Sequence, residues 1–233
     1  MGLTRSAGGL RSDNPAVGFL GALDEEQARA LRKRGIGRRF RKGQALFHQG
    51  SSSDRVVVLL SGRVKVSTVT EEGKEIVLAF RGPGDLLGEL SAIDGEPRSA
   101  TVEAIEPVDA LAIAAGDFHS YLIDYPGVGV LLLQMLSRRL RDADRIRVEY
   151  GAHDTVGRVA ARLVDLVERY GEPAARGLQI GLPLSQEELA GWTGASREAV
   201  SKALQTLRKL GWVLTERRRI TVLDLEALRR RSA

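Results

Sequence analysis

The clearest chemistry in this sequence lies in a short glycine-rich stretch, residues 82–101, which follows a strand-like apolar run. Its middle, residues 86–93, is predicted to form one or two helical turns, and Arg98 and Ser99 come shortly afterwards. Free backbone N–H groups at a helix start, a guanidinium and a hydroxyl are the groups that bind an anion. The stretch therefore predicts a phosphate-binding cradle.

A carboxylate within the same stretch narrows the choice of ligand. Glu89 would repel a phosphate, so its partner must be a hydrogen-bond donor such as a sugar hydroxyl. A ligand with one phosphate and one free ribose hydroxyl satisfies both Glu89 and Arg98. The alternative is a simple ion pair between Glu89 and Arg98 across a tight turn, and the surrounding glycines favour the binding site over it.

The same residues resemble the phosphate-binding cassette of cyclic-nucleotide-binding domains. That cassette reads Gly-Glu-Leu, a short spacer, and then Arg-Ser-Ala or Arg-Ala-Ala, and residues 88–100 match it closely. The resemblance implies that the glycine, the arginine and the serine hold the cyclic phosphate. It also implies that the glutamate accepts a hydrogen bond from the ribose 2′-hydroxyl. The residues concerned are Gly88, Glu89, Leu90, Arg98 and Ser99.

Length and composition indicate an ordinary globular protein of one or two domains. The chain has 233 residues, of which 43% are hydrophobic and 28% are charged. It contains no cysteine, which excludes disulfides, thiolate zinc sites and cysteine-held iron–sulfur clusters. We find no signal-peptide pattern and no bilayer-length apolar run, so we expect a cytoplasmic protein without a membrane partner. The net charge of +5 favours an anionic partner, with nucleic acid as the default.

Two kinds of hydrophobic periodicity divide the chain. After a short helix capped by Asp24, residues 40–115 alternate β-favouring runs with glycines at the spacing of a sandwich or barrel. From about residue 128 to 150 the period is helical, which predicts a helix about 30 Å long with a coiled-coil-like seam. The seam positions are Leu133, Leu136, Leu140 and Ala143. We expect this seam to form a homodimer, and packing on the β-body is the alternative. A second helix is predicted over residues 155–170, after a hinge at residues 151–154.

A second polar group lies within a pattern of helix, tight turn and helix. Ser185 begins a capping box with Glu188, Gly194 supplies the turn, and Ser196 caps the second helix. The exposed face of that helix can enter a major groove, where arginine suits guanine and glutamate accepts from cytosine. Two later strand-like runs flank a basic turn, which predicts a wing that contacts phosphates. The predicted DNA-binding residues are Ser185, Gln186, Ser196, Arg197, Glu198, Ser201, Lys202, Arg217 and Arg218.

From about residue 19 onward the chain is similar to transcription regulators of the cyclic-AMP receptor protein (Crp/Fnr) superfamily. The resemblance implies an α+β chain in four parts. Residues 1–18 form a flexible tail, and residues 19–126 form a jelly-roll-like, cyclic-nucleotide-binding β-roll. Residues 127–151 form a dimerisation helix, and residues 152–233 form a winged helix-turn-helix domain.

The same resemblance implies roles and partners. It assigns base reading to Arg197, Glu198 and Lys202, and phosphate contacts to Ser185 and Gln186. The expected partners are palindromic double-stranded DNA, a second copy of the chain, RNA polymerase and a cyclic nucleotide effector, most directly cyclic AMP. No cofactor or metal is expected, because the three histidines are scattered along the sequence.

The base-binding end departs from the family pattern. In the cyclic-AMP receptor protein, hydroxyl residues on the dimer helix, one from each subunit, meet the adenine, and the corresponding positions here are Ala143 and Asp144. Ala143 cannot hydrogen-bond, whereas Asp144 can accept from the adenine amino group or from the paired N1 and N2 donors of guanine. The alternative is that Asp144 points outwards and pairs with Arg141 or Arg147.

The function that follows is an allosteric transcription regulator and not an enzyme. A cyclic nucleotide bound to each β-roll is expected to shift the recognition helices into register with half-sites about 34 Å apart. Two alternatives stay open: a constitutive DNA-binding regulator with a vestigial nucleotide site, and a regulator that responds to cyclic GMP. A phosphodiesterase-like enzyme would need metal ligands, which the scattered histidines do not supply.

Overall fold

The computed structural model describes residues 18–52 and 54–232, so the predicted tail at residues 1–18 lies outside the described residues except for Gly18. The helices are α1 (Phe19–Ala22), α2 (Glu25–Arg34), α3 (Glu89–Asp94), α4 (Ala115–Asp124), α5 (Pro126–Ala152), α6 (Thr155–Tyr170), α7 (Gln186–Thr193), α8 (Arg197–Lys209) and α9 (Leu225–Arg231). The strands are β1 (Gly35–Phe40), β2 (Ala45–Phe47), β3 (Arg55–Ser61), β4 (Val64–Val69), β5 (Glu75–Arg81), β6 (Leu86–Leu87), β7 (Thr101–Ala104), β8 (Val108–Ala114), β9 (Gly171–Pro173), β10 (Leu178–Ile180), β11 (Val213–Glu216) and β12 (Arg219–Val222). The predicted α+β class is confirmed, and no described helix is both long and apolar enough to cross a bilayer.

Two antiparallel sheets in the N-terminal half form the β-roll. Their strand orders are β1-β8-β3-β6 and β2-β7-β4-β5. Strand β3 has a continuous apolar sequence because both of its faces are covered. Val57 and Leu59 belong to the core between the sheets, whereas Val56 and Val58 belong to a second core shared with the surrounding helices.

The sequence-based prediction omits several elements of the N-terminal half, among them α1, β1, β2 and α4. Arg38 and Arg39 lie in the edge strand β1, where both side chains are exposed to solvent. Because no residue of β1 is buried, the strand lacks the alternating apolar pattern that identifies a half-buried strand. Helix α4 places only Phe118 and Tyr121 in the core, which is too few apolar positions to give a helical period.

The long helix α5 begins at Pro126 and contains 27 residues, so it is about 40 Å long. Proline suits the first position of a helix because its fixed φ is already helical and no N–H bond is lost. The first turns pack into the β-roll through Val128 and Leu132, which are 0% and 3% exposed. Farther along, Leu133 and Leu140 are 65% and 64% exposed, so these two positions of the predicted seam are uncovered. Leu136 is half-buried and packs against the core of the β-roll, as the alternative expected.

The link between α5 and α6 is shorter than the predicted hinge at residues 151–154. Helix α5 continues to Ala152, and only His153 and Asp154 separate it from α6. Asp154 is the N-cap of α6, as predicted, because its carboxylate accepts a 2.8 Å hydrogen bond from the N–H of Gly157. Such a short link leaves little slack between the two helices.

The C-terminal half packs α6, α7, α8 and α9 beside a third sheet, with strand order β11-β12-β10-β9. The capping box of Ser185 and Glu188 is present, and Gly194 ends α7 with a φ of 62°, in the left-handed region that suits glycine. Ser196 caps α8 as predicted. The inner face of α8 is buried and consists of Val200, Ala203, Leu204 and Leu207.

A buried group of charged side chains joins α5 to α6. Arg162 is 2% exposed, and its guanidinium forms ion pairs with Glu149 of α5 and, at 2.9 Å, with Asp165. Arg145 of α5 reaches the same carboxylates, at 2.7 Å from Glu149 and 3.2 Å from Asp165. Each buried charge thus has an opposite charge beside it, which offsets the cost of removing it from water.

We predict that Glu149→Gln lowers the free energy of unfolding by about 1–3 kcal/mol, because it removes one counter-charge of the buried Arg162, which keeps its pair with Asp165. Urea denaturation followed by circular dichroism measures this loss. The matched control is Asp144→Asn on the same helix, where an exposed pair with Arg147 is 3.8 Å long and should contribute less than about 1 kcal/mol. Equal losses in the two variants would contradict a structural role for the buried group.

Candidate functional site

A cavity of about 550 Å³ lies between the β-roll, α5 and the C-terminal half. Its volume is typical of small-molecule sites. Six of the seven predicted ligand residues line it: Gly88, Glu89, Leu90, Arg98, Ser99 and Ala143. The seventh, Asp144, is not among the described residues that form the wall.

Arg98 is held rigidly at one end of this cavity. It is 4% exposed, its guanidinium lies 3.9 Å from the centre of the Phe47 ring, and it donates to the backbone oxygens of Gly88 at 2.9 Å and Arg55 at 2.5 Å. Burial lowers the pKa of Arg98, and the carboxylate of Asp54 opposes that shift. Its Nε–H has no hydrogen-bond partner among the described residues. The side chain is therefore a fixed cation with an unused donor.

Gly88 is required by this arrangement. Its φ of 75° lies in the left-handed region, which other residues rarely adopt. A Cβ atom there would also lie 2.3 Å from Nη1 of Arg98 and 3.1 Å from the Phe47 ring. Any side chain would displace the guanidinium, so the glycine and the arginine depend on each other.

Glu89 pairs with an arginine that the sequence analysis did not select. Its carboxylate is buried and accepts a 2.6 Å hydrogen bond from Nη1 of Arg139, whose Nη2 donates to the Leu86 carbonyl at 2.8 Å. The alternative of a Glu89–Arg98 pair is thus wrong, because Arg98 is occupied by backbone oxygens. The predicted helical run at residues 86–93 also starts later than expected, at Glu89, because Leu86 belongs to β6.

Ala143 and Asp144 lie on different faces of α5. Ala143 lines the cavity of its own chain. Asp144 is exposed, and its carboxylate lies 3.8 Å from Nη1 of Arg147, which is the outward pair given above as the alternative. It is also one turn from the exposed Leu140, so it lies beside the uncovered seam rather than beside the cavity of its own chain.

Much of the far wall of the cavity comes from the part of the chain that was predicted to form the DNA-binding domain. Helices α6 and α7 contribute side chains to it, together with the last turns of α5. These residues are Ile146, Tyr150, Arg162, Asp165, Arg169, Tyr170 and Trp192. No local pattern identifies them, because they meet the cassette only through tertiary packing.

A second polar surface lies at the start of α8. Arg197, Glu198, Ser201 and Lys202 are all exposed there, and Ser196 accepts a 3.2 Å hydrogen bond from the N–H of Ala199. The backbone N–H of Glu198 and the Ser196 hydroxyl hold the pKa of the Glu198 carboxyl below its usual value. Glu198 is therefore a hydrogen-bond acceptor near neutral pH.

The predicted wing is the β11–β12 hairpin. Glu216 pairs with Arg219 across it, so Arg217 and Arg218 form the two-residue turn, with Arg218 at a φ of 57°. A cleft of about 320 Å³ separates this tip from the starts of α7 and α8. Five predicted DNA-binding residues line the cleft: Ser185, Gln186, Arg197, Arg217 and Arg218. Ser185 is half-buried and bonds to Glu188 at 2.7 Å, so its hydroxyl serves the helix cap.

Each half of the chain matches a known protein family. Residues 37–125 match the family model of the cyclic nucleotide-binding domain, and residues 157–231 match that of the Crp-like helix-turn-helix domain. A CRP-like cAMP-activated global transcriptional regulator from Mycobacterium tuberculosis is 35% identical over 193 residues, which is 83% of this chain and 86% of the relative. A global nitrogen regulator from Synechocystis is 31% identical over 192 residues, covering 81% and 85%.

A solved structure of a CooA mutant from Carboxydothermus hydrogenoformans has the same fold, with a TM-score of 0.77. The match covers 95% of this chain and 97% of that chain, at 24% sequence identity. The matches to both domain models define a DNA-binding transcription regulator with a cyclic-nucleotide-binding domain. The chain belongs to the Crp/Fnr family. The prediction that it is not an enzyme is confirmed, because its relatives are regulators.

Proposed function

We propose that this chain is a homodimeric, sequence-specific transcription regulator controlled by a cyclic nucleotide, most directly cyclic AMP. The Arg98 site carries the proposal, because a buried guanidinium with an unused Nε–H lies in the cavity wall. Gly88 leaves the space in which the guanidinium sits. The M. tuberculosis relative, which is described as activated by cyclic AMP, supports the same effector.

The ligand would bridge two parts of the chain. A cyclic phosphate at Arg98 and Ser99 places the ribose beside Glu89, which is already joined to Arg139 of α5. The ligand would therefore contact the β-roll and α5 together, and α5 leads into α6 through only two residues. A shift of α5 would therefore move α6 and the rest of the DNA-binding domain. In this way the bound ligand would favour one of two arrangements of that domain.

The proposed homodimer uses the exposed seam of α5. Leu133 and Leu140 are seven residues apart, so they lie on one side of the helix and suit a parallel partner. A two-fold dimer presents two α8 helices, which predicts a palindromic DNA site with half-sites about 34 Å apart. RNA polymerase is the further partner that we propose for a regulator bound at a promoter.

Two alternatives to control by cyclic AMP are regulation without a ligand and regulation by cyclic GMP. A constitutive regulator would carry a vestigial nucleotide site, but the tight fit of Gly88 and Arg98 argues for a working one. A regulator of the cyclic GMP type would need the Asp144 carboxylate, which lies one turn from the exposed Leu140, to face the cavity of a partner subunit. Guanine offers a carboxylate two adjacent donors, whereas adenine offers only its amino group.

We predict that Arg98→Ala abolishes nucleotide binding while the dimer stays folded, because it removes the cation that opposes the phosphate. Calorimetry with cyclic AMP and with cyclic GMP tests this, and the wild-type titrations also test the effector. Arg39→Ala is the matched control, since Arg39 is exposed on β1 and does not line the cavity. Unchanged affinity in Arg98→Ala would remove this residue from the binding site.

We predict that Arg197→Ala weakens DNA binding by about 1–3 kcal/mol at one guanine position and relaxes the preference there. The reason is that its exposed guanidinium is suited to the O6 and N7 atoms of guanine. Binding to the best half-site and to single-base variants measures the change. Lys209→Ala, on the last turn of the same helix, is the control. If all half-sites weaken equally in Arg197→Ala, this arginine does not read sequence.

We predict that Asp144→Ser shifts selectivity towards cyclic AMP relative to cyclic GMP by about tenfold, because a charged hydrogen-bond acceptor for guanine is lost. A competition assay with both nucleotides measures the ratio. Arg141→Ser is the control, because Arg141 is exposed on the same helix and is not among the residues that line the cavity. An unchanged ratio in Asp144→Ser means that the carboxylate serves only its pair with Arg147.

A further inference from the structure

The effector cavity is not confined to the β-roll and α5. Part of its wall belongs to the DNA-binding domain, through Arg162, Asp165 and Arg169 of α6 and Trp192 of α7. Helix α7 is the first helix of the helix-turn-helix, so the cavity and the DNA-reading unit share a boundary. Trp192 is 7% exposed, and its indole N–H has no hydrogen-bond partner among the described residues.

This wall exists because α7 packs directly on strand β5 of the β-roll. Gly191 faces the strand, and a Cβ atom there would lie 3.0 Å from the backbone oxygen of Glu75 and 3.5 Å from the backbone nitrogen of Val77. The next residue, Trp192, contacts Phe80 edge-to-face, with ring centroids 5.3 Å apart. Glycine at residue 191 therefore allows a backbone-to-backbone approach that places the indole in the cavity wall.

Polar contacts hold the same arrangement from two sides. The Tyr150 hydroxyl at the end of α5 donates to the Trp192 carbonyl at 3.1 Å. On the other side, Nη1 of Arg63 in the β-roll donates to the Gly181 carbonyl of the DNA-binding domain at 2.7 Å. Both hydrogen bonds are accepted by backbone oxygens of the DNA-binding domain. They therefore hold the backbone of that domain, and not only one of its side chains, against the β-roll and α5.

Ion pairs along the cavity wall join α5 to α6. Arg169 lies 3.1 Å from Asp142, and Arg145 lies 3.2 Å from Asp165. All four residues also line the cavity. A ligand in the cavity would therefore lie against the side chains that connect the two helices.

Docking on β5 leaves the DNA-binding surface free. Arg197 and Lys202 of α8 are exposed in this arrangement, and so are Arg217 and Arg218 at the wing tip. A contact that blocked DNA binding would cover these side chains. The α7–β5 contact instead leaves the exposed face of α8, the predicted recognition helix, open to solvent.

We infer that the DNA-binding domain completes the effector site, so that nucleotide binding and docking of α7 on β5 stabilise each other. The physical reason is differential affinity, because a ligand that contacts a wall present only in the docked arrangement binds that arrangement more tightly. The coupling is reciprocal, so a docked domain also binds the ligand more tightly. This inference rests on the proposed function. It adds the contact through which ligand binding affects the helix-turn-helix.

Gly191→Leu tests the inference without touching the cassette. The Cβ atom of the added side chain meets only atoms of β5, so the substitution should separate α7 from β5. We expect its affinity for cyclic AMP, measured by calorimetry, to fall by about 5- to 150-fold, the usual range for coupled sites. Gly116→Leu is the matched control, because Gly116 is also helical and a Cβ atom there meets nothing within 4 Å.

Tryptophan fluorescence gives a second readout, because the chain has two tryptophans. Trp192 lines the cavity, whereas Trp212 stands before β11 and is not part of the described wall. We expect cyclic AMP to change the fluorescence of Trp212→Phe, in which Trp192 remains. We expect little change in Trp192→Phe. The opposite pattern would overturn the inference.

The outcomes separate this inference from the proposed function. If the wild-type chain binds neither cyclic AMP nor cyclic GMP, the proposed function fails and the inference fails with it. If the wild type binds cyclic AMP and Gly191→Leu, folded by circular dichroism, binds it equally well or better, only the inference is overturned. A loss in Gly191→Leu that Gly116→Leu does not share supports it.

Discussion

The ion pair between Glu89 and Arg139 is the contact on which the rest of the arrangement depends. It joins the start of α3 to the middle of α5 at 2.6 Å, with the carboxylate almost fully buried. A buried charge is tolerated only beside an opposite charge, so the pair fixes where α5 crosses the β-roll. That crossing places Ala143 and the later turns of α5 along the cavity, and it carries α6 towards the strand β5.

The two ends of the cavity differ in chemistry. At the cassette end, Arg98 and Ser99 offer a cation and a hydroxyl within a shell of backbone contacts that the left-handed Gly88 makes possible. At the other end, Tyr150 and Trp192 offer aromatic surface. A nucleotide has a phosphate at one end and a base at the other, so this polarity matches the proposed class of ligand.

Much of the site was predictable because its signals are local. The capping box at Ser185, the left-handed Gly194 and the buried stripe of α8 each involve residues within a few positions of one another. The cassette is equally compact in sequence, so its lining residues could be selected in advance. Strand β1 was not predictable, because an edge strand with no buried residue carries no periodic signal.

The sequence by itself determined the local chemistry: which residues form the cassette, where α6 and α8 are capped, and which face of α8 is buried. Only the tertiary structure decided the partners of those residues. Glu89 meets an arginine 50 residues away, and Gly191 meets a strand more than one hundred residues earlier. Caps and helical stripes act through neighbours along the chain, whereas a buried charge or a close backbone approach depends on which elements meet in space.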